Sequence, residues 1–350
     1  MTHPIIMYEL NEVPWRVVDA YIARRPTSHF ALLLDEAVQR TTFTEDSGEL
    51  HPWTTWPTAH RGVYNDSHQI RFINQAIGTE YRPFWEFLVG AGLRVGIFGQ
   101  LQSYATFPPD PSGYAFYIPD TFAPSPRTHP KRYTPFQHFN LLMTERDGGV
   151  LASGVPLNAS TLLDLGRMAM TGLRPLTVVQ LAKHLWQEQR TPSVRARRSV
   201  MQAPLAFDFF LDAYARTLPD YAAFFTNHVA GMMHRYWKQA FPEVFDESTK
   251  TPNDARAGHI WHAMDVADHQ LGVLRRIART RGGSLLVMSS MGQEAIKRGQ
   301  YLGELRINDP ARMMATVGFH RSYTQLLAMA PDFAFQLDSA SDAELLQTRA

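Results

Sequence analysis

Four short apolar runs limit what this chain can fold into: "PIIMYEL" (4–10), "LRVGIFGQ" (93–100), "YAAFFTNH" (221–228) and "SLLVMSS" (284–290). Each has the ~4–8-residue length of a buried strand and lacks the strict alternation of a half-exposed one. Amphipathic helical patterns lie between them. "PWRVVDAYIARR" (14–25) has apolar residues at helical spacing, with Pro14 suited to a first helical turn. "EYRPFWEFLVGAG" (80–92) is stopped by glycine, and "HIWHAMDVADHQLGVLRRIARTRGG" (259–283) is a long amphipathic helix ended by glycines. A strand apolar on both faces needs a cover on both. The rhythm therefore predicts an α/β fold: a mainly parallel central sheet with helices on both faces.

The middle of the chain reads differently. Residues 107–136 are rich in Pro, Ser, Tyr and Phe and predict loop or cap material rather than core strands. Residues 159–217 predict helix in two or three pieces. The resulting division is a core from 1–106 and 218–350, with an irregular and helical cap insertion at 107–217. The aromatic residues of 107–136 suit loop packing, or a cap whose rings stack on sugars. "RTPSVRARRSV" (190–200) suits a solvated helix start, or an anion-binding rim on the cap.

Composition removes several function classes. The 350 residues hold 34 basic and 33 acidic side chains, a formal net charge of +1, which gives no overall pull toward nucleic acid or membrane. There is no cysteine, so disulfides and thiolate metal sites are excluded. No run approaches the ~18 apolar residues of a membrane span. The N-terminal "MTHPIIMYELNEVPW" has no basic leader and reads as a cytoplasmic start.

"HPWTTWPTAHRG" (51–62) sets two threonines among tryptophans and prolines. A helix starting near Pro57 would put Thr55 at its N-terminal edge, where free N–H groups and the positive end of the dipole favour a phosphate or a nucleophilic hydroxyl. The plainer reading makes Thr55 a helix cap with tryptophans packed around it.

These landmarks, in order, resemble the alkaline phosphatase superfamily, in particular its type I phosphodiesterase and nucleotide pyrophosphatase branch. "YELNEVPWRVVDAYI" is similar to the opening strand, metal-binding Asp-Gly and helix, with Asn11 at the Asp position. "TTWPTAHRG" resembles the nucleophile segment, "SHQIRFIN" the segment after it, and "RVGIFGQLQSYATFPPDPSGYAFYIPDTFAPSP" the stretch whose proline-rich turn leads into the cap. "NHVAGMMHRYW" resembles the Asp-x-x-x-His segment, "SLLVMSSMGQE" the Asp-His-Gly segment and "VGFHRSY" the late Gly-x-His segment.

The resemblance implies a phosphate ester or phosphodiester hydrolase or phosphoryl transferase acting on a small phosphorylated or glycan-phosphate substrate. Thr55 would be the nucleophile, Asn74 would bind the phosphoryl oxygen, and Arg61 would supply positive charge. One of the family's two metals would need Asn11, Thr55, Ser290 and Met291, a donor set poor for zinc or manganese, so that site is expected to be lost. The other would be one divalent ion, zinc or manganese, held by His228, His234 and His320. The family spacing puts a ligand at Ala230; a loop insertion would let Asn227 or His228 serve instead. Glu9, Glu12 and Glu294 lie near the landmarks as ligands for a hard cation or as a base, with Lys297 and Arg298 as further cations. The alternative is a catalytically inactive member whose pocket binds an anionic ligand, a glycan or a protein partner. His262, Asp265 and His269 share a helix face and suit a solvated polar face or a surface metal site.

Overall fold

In a computed structural model, residues 3–73, 75, 80–145, 159–245, 255–296, 307, 309–326 and 333–349 are described. The chain begins with β1 (Ile5–Leu10), followed by the helices α1 (Trp15–Arg24), α2 (His29–Glu36), α3 (Pro52–Arg61), α4 (Asn65–His68) and α5 (Phe84–Gly90). Then come β2 (Val95–Phe98), β3 (Tyr114–Ile118), α6 (Thr134–Glu145), α7 (Ala159–Thr171), α8 (Pro175–Arg190) and α9 (Gln202–Thr217). After β4 (Tyr221–Thr226) follow α10 (His228–Ala240), α11 (Gly258–Thr280), β5 (Ser284–Met288) and α12 (Pro310–Thr316). A hairpin of β6 (Tyr323–Leu326) and β7 (Ala334–Leu337) precedes α13 (Ala340–Arg349).

The five strands β3-β2-β4-β1-β5 form one sheet, every pair parallel. The apolar runs 4–10, 93–100, 221–228 and 284–290 are four of these strands. Alternate residues of β1 divide between the faces. Ile6, Tyr8 and Leu10 join the larger core with Val17 and Tyr21 of α1, Phe209 and Phe210 of α9, and Met264 and Ala267 of α11. Met7 joins the smaller core with Trp85 of α5, Ile97, Tyr117 and Ala223. Helices thus cover both faces, as the apolar runs require. Gly96 of β2 is needed for close approach: a Cβ there would lie 2.2 Å from the Phe116 ring.

Three local expectations are corrected. Pro14 stands at the N-cap of α1, one position before the first helical residue. Residues 107–136, read as loop or cap, contribute the edge strand β3, with Phe116, Tyr117 and Ile118 fully buried. The sheet therefore draws on the 107–217 segment as well as on 1–106 and 218–350. The aromatic residues of that segment pack inward: Tyr114 and Tyr117 meet edge to face at 4.9 Å, and Arg127 lies over Phe107 at 4.3 Å. The basic stretch 190–200 is mostly a 3₁₀ segment, Pro192–Met201. No helix among the described residues is long and apolar enough to cross a membrane.

Candidate functional site

β1 and β4 are neighbours whose following connections leave in opposite directions. The chain passes from β1 to β2 on one side and from β4 to β5 on the other. In an open parallel sheet such a reversal opens a crevice at the carboxyl ends of the two strands, where ligands bind. The polar residues of this chain gather there.

Asn11 follows the last residue of β1, and its N–H donates to the Thr226 carbonyl at 3.1 Å, extending the ladder by one residue. Glu12 then turns the chain with φ 58°, a left-handed conformation that non-glycine residues adopt at a cost and that clusters at functional sites. Both side chains are buried. Asn11 is held on every side: Trp56 Nε1 donates to its Oδ1 at 2.7 Å, and its Nδ2 donates to Glu12 Oε1 at 2.9 Å and Asn227 Oδ1 at 2.7 Å. The other Glu12 oxygen lies 3.1 Å from His234 Nε2 and accepts from the Gln293 amide. Gln293 N also donates to the Glu12 carbonyl at 3.0 Å, pinning the segment after β5 to the turn after β1. The His234 side chain is 62% exposed and its Glu12 partner 7%, so the pair has a wet end and a dry end.

The helix carrying Thr55 begins five residues earlier than predicted, at Pro52. Thr54 and Thr55 both donate their N–H to the His51 carbonyl at 2.9 Å, so the backbone donor expected beside the Thr55 hydroxyl is already used. Pro57 lies inside the helix. It has no N–H for the Trp53 carbonyl four residues back, and Gln102 Nε2 donates there instead at 3.3 Å. Thr55 is only 2% exposed. Its hydroxyl lies 2.8 Å from Ser290 Oγ and 3.3 Å from the His51 carbonyl.

Glu9 and His60 form a fully buried pair 2.8 Å apart, with the His60 ring against Trp85 at 4.8 Å. Glu9 is therefore held by α3 and stands apart from the Glu12–His234 pair.

The structure joins Asn11, Glu12, Asn227 and His234 through one network and pairs Thr55 with Ser290 separately, and it sets the other predicted site residues elsewhere. Arg61 donates Nε to the Tyr81 carbonyl at 3.0 Å, on the α5 side of α3. Burial lowers its pKa to about 10, with Tyr117 and Glu86 working against that shift. His228 is a core residue. Its Nδ1 lies 2.7 Å from Thr226 Oγ1 and its Nε2 3.0 Å from the Ala263 carbonyl, so neither nitrogen is open to a metal. Burial lowers its pKa to about 4, which keeps the ring neutral. His320 is exposed beyond α12. Glu294 faces Arg16 at the surface, 4.0 Å away. Asn74, Lys297 and Arg298 lie outside the described residues.

The three-imidazole site expected from His228, His234 and His320, with Asn11 and Glu9 as further ligands, does not assemble. Among the described residues no three His, Asp or Glu side chains are placed to hold a metal ion. The polar face of α11 is structural: Asp265 accepts from the Tyr21 hydroxyl at 2.9 Å and pairs with Arg25 at 3.3 Å.

Sequence reasoning missed Gln293 and Trp56. Nothing local marks Gln293, whose role comes from long-range folding. Trp56 sat in the motif already singled out, but its indole N–H finds Asn11 only once α3 packs across β1. Comparison with known proteins finds no match: no family model, no curated protein and no solved structure matches the chain.

Proposed function

We propose that the crevice at the ends of β1 and β4 is a ligand-binding site rather than a two-metal phosphoryl-transfer centre, and that the chain binds a small anionic molecule without hydrolysing phosphodiesters. One observation carries this reading. At the position where the resemblance implies a metal-binding carboxylate, Asn11 aims its amide protons at Glu12 Oε1 and Asn227 Oδ1. Those are the oxygens a cation would need. An uncharged amide thus stands where the cation would stand, and its hydrogen bonds satisfy the buried oxygens. The Thr55 hydroxyl is likewise engaged by a neutral partner, Ser290.

The test is turnover of bis(p-nitrophenyl) phosphate by the purified, untagged chain, with metal content measured by plasma mass spectrometry. The expected result is substoichiometric metal and no turnover that depends on Thr55. Robust turnover abolished by Thr55→Ala would overturn the reading.

The Glu12–His234 pair supports a second reading, a metal-free hydrolase. A buried carboxylate against an exposed imidazole is an acid–base unit that can activate a water or a substrate hydroxyl. Metal-independent ester or phosphoester turnover lost in His234→Gln and kept in Thr55→Ala would favour it.

A further inference from the structure

A cavity of about 160 Å³ lies on the Asn227 side of the crevice, at the carboxyl ends of β2, β3 and β4. That matches the roughly 150 Å³ that accommodates a benzene-sized molecule. Its apolar wall includes Phe122, Phe136 and Ala206, and its polar wall includes Asn140, Gln202 and Asn227. His228 also lines it, as an uncharged ring with both nitrogens occupied. Among the described residues no Asp or Glu lines it, and Arg235 is the only charged group there. Arg235 is exposed, and no carboxylate, carbonyl or ring among the described residues partners it.

Gly231 gives the cavity a second, independent sign of use. It sits within α10, with its N–H donating to the Asn227 carbonyl at 3.1 Å in regular helical fashion. A glycine there costs about 0.5–1 kcal/mol relative to alanine. No steric demand explains it, because a Cβ at this position would meet nothing within 4 Å. What glycine provides at this point is empty space on the cavity wall.

We propose that this cavity binds a ring-sized organic anion, with the ring among Phe122, Phe136 and Ala206 and the anionic group on Arg235. The proposal rests on the binding reading above and names its ligand class. A metal ion does not suit the cavity, since the only charge lining it among the described residues is a guanidinium. A bare inorganic anion would leave the aromatic wall without a contact. A ring bearing a carboxylate or a phosphate uses both, because guanidinium recognises either group by charge-assisted hydrogen bonds.

The experiment is isothermal titration calorimetry on the full chain with four probes: benzoate, phenyl phosphate, benzyl alcohol and inorganic phosphate. At ordinary ligand efficiency a ring of this size binds with a dissociation constant on the order of 1 mM. Benzoate or phenyl phosphate is expected to saturate, and whichever binds more tightly identifies the anionic group. Benzyl alcohol and inorganic phosphate should each bind about tenfold more weakly. Arg235→Gln, at an exposed position that leaves the fold intact, should weaken the ring anion about tenfold and leave benzyl alcohol unchanged. Gly231→Leu should abolish binding of both ring compounds while circular dichroism stays native.

Absence of saturable binding by either ring anion, or binding unchanged in both variants, overturns the proposal. The two readings fail separately. Turnover dependent on Thr55 would remove the binding-only reading while the titrations still decide the cavity. Silent titrations with no turnover would remove only the cavity.

Discussion

The two sides of Asn227 are built on opposite principles. On one side Asn11 bonds to Glu12, Asn227 and Trp56 and Thr55 meets Ser290, all within 2.7–2.9 Å, and the described residues hold no metal cluster. On the other side, Gly231 and Ala206 border open volume, and Arg235, the one charged residue lining it among the described residues, has no partner among them. The first side resembles a binding site in composition, but its polar groups have satisfied each other. The second holds no catalytic residue, yet it keeps room and a charge. Ligand capacity follows from unsatisfied groups next to space, and by that measure it lies on the cavity side.

The strongest way to break this comparison is to charge the saturated side. Asn11→Asp removes both amide donors and faces a carboxylate toward Glu12 Oε1 and Asn227 Oδ1. An uncompensated buried charge costs about 3–5 kcal/mol. Urea unfolding should show that loss, and neither zinc nor manganese should restore it, because His234, the nearest further ligand, is spent on the other Glu12 oxygen and on the Gln293 amide. Full rescue by a divalent ion would make this side a latent metal site and reverse the contrast.

The next largest effect is acid-induced and belongs to the cavity side. His228 has its pKa lowered to about 4, chiefly by burial. A depressed folded-state pKa gives stability that is fully present above the unfolded value, about 6.5, and is lost as pH falls through about 4. The difference is worth about 3 kcal/mol at 1.36 kcal/mol per unit. Asp120, whose own pKa burial raises to about 6, acts with the opposite sign: its contribution is present below 3.8 and lost as pH rises through about 6. Urea unfolding from pH 7 to pH 4.5 should show the histidine loss, and His228→Gln should make that limb shallower, the rest coming from His68 and His262, whose pKa burial also lowers to about 4. An unchanged limb in the variant would mean that the His228 ring does not stay neutral.

How much was legible in the sequence differs between fold and site. The four apolar runs marked four of the five strands because a strand buried on both faces has a continuous apolar signature. β3 was hidden because its "YAFYI" lies between proline-rich turns, so the flanking residues set the reading of the whole segment. Thr55 and Ser290 were picked out and meet, and Asn11 and His234 were picked out and both reach Glu12. Their chemical state was not legible, since it depends on contacts such as Trp56 to Asn11 that span 45 residues of chain. His228 misled for the same reason: only the fold shows both its nitrogens spent on Thr226 and Ala263. The start of α3 was misplaced because Pro57 suits a first turn as well as a helix interior where another side chain, here Gln102, takes the orphaned carbonyl.

Thr55 sharpens the contrast at a smaller scale. Thr55→Val keeps the shape and β-branching of the side chain and removes the hydroxyl that meets Ser290. A neutral hydrogen bond contributes about 1 kcal/mol net. Unfolding should show a loss of that size, with benzoate and phenyl phosphate binding unchanged. A tenfold change in their affinity would tie the two sides into one site.

The smallest effect separates space that is kept from space that is merely tolerated. Gly231→Ala adds one methyl group where nothing lies within 4 Å, inside a helix, so the free protein should gain about 0.5–1 kcal/mol from backbone entropy alone. If the cavity serves a ligand, the same methyl group narrows its wall, and ring anions should bind more weakly to this more stable protein. Thermal unfolding with and without benzoate reads both quantities in one experiment. A variant more stable in both conditions by the same margin would mean that Gly231 provides nothing that alanine lacks, and the cavity side would then be no more a binding site than the saturated side.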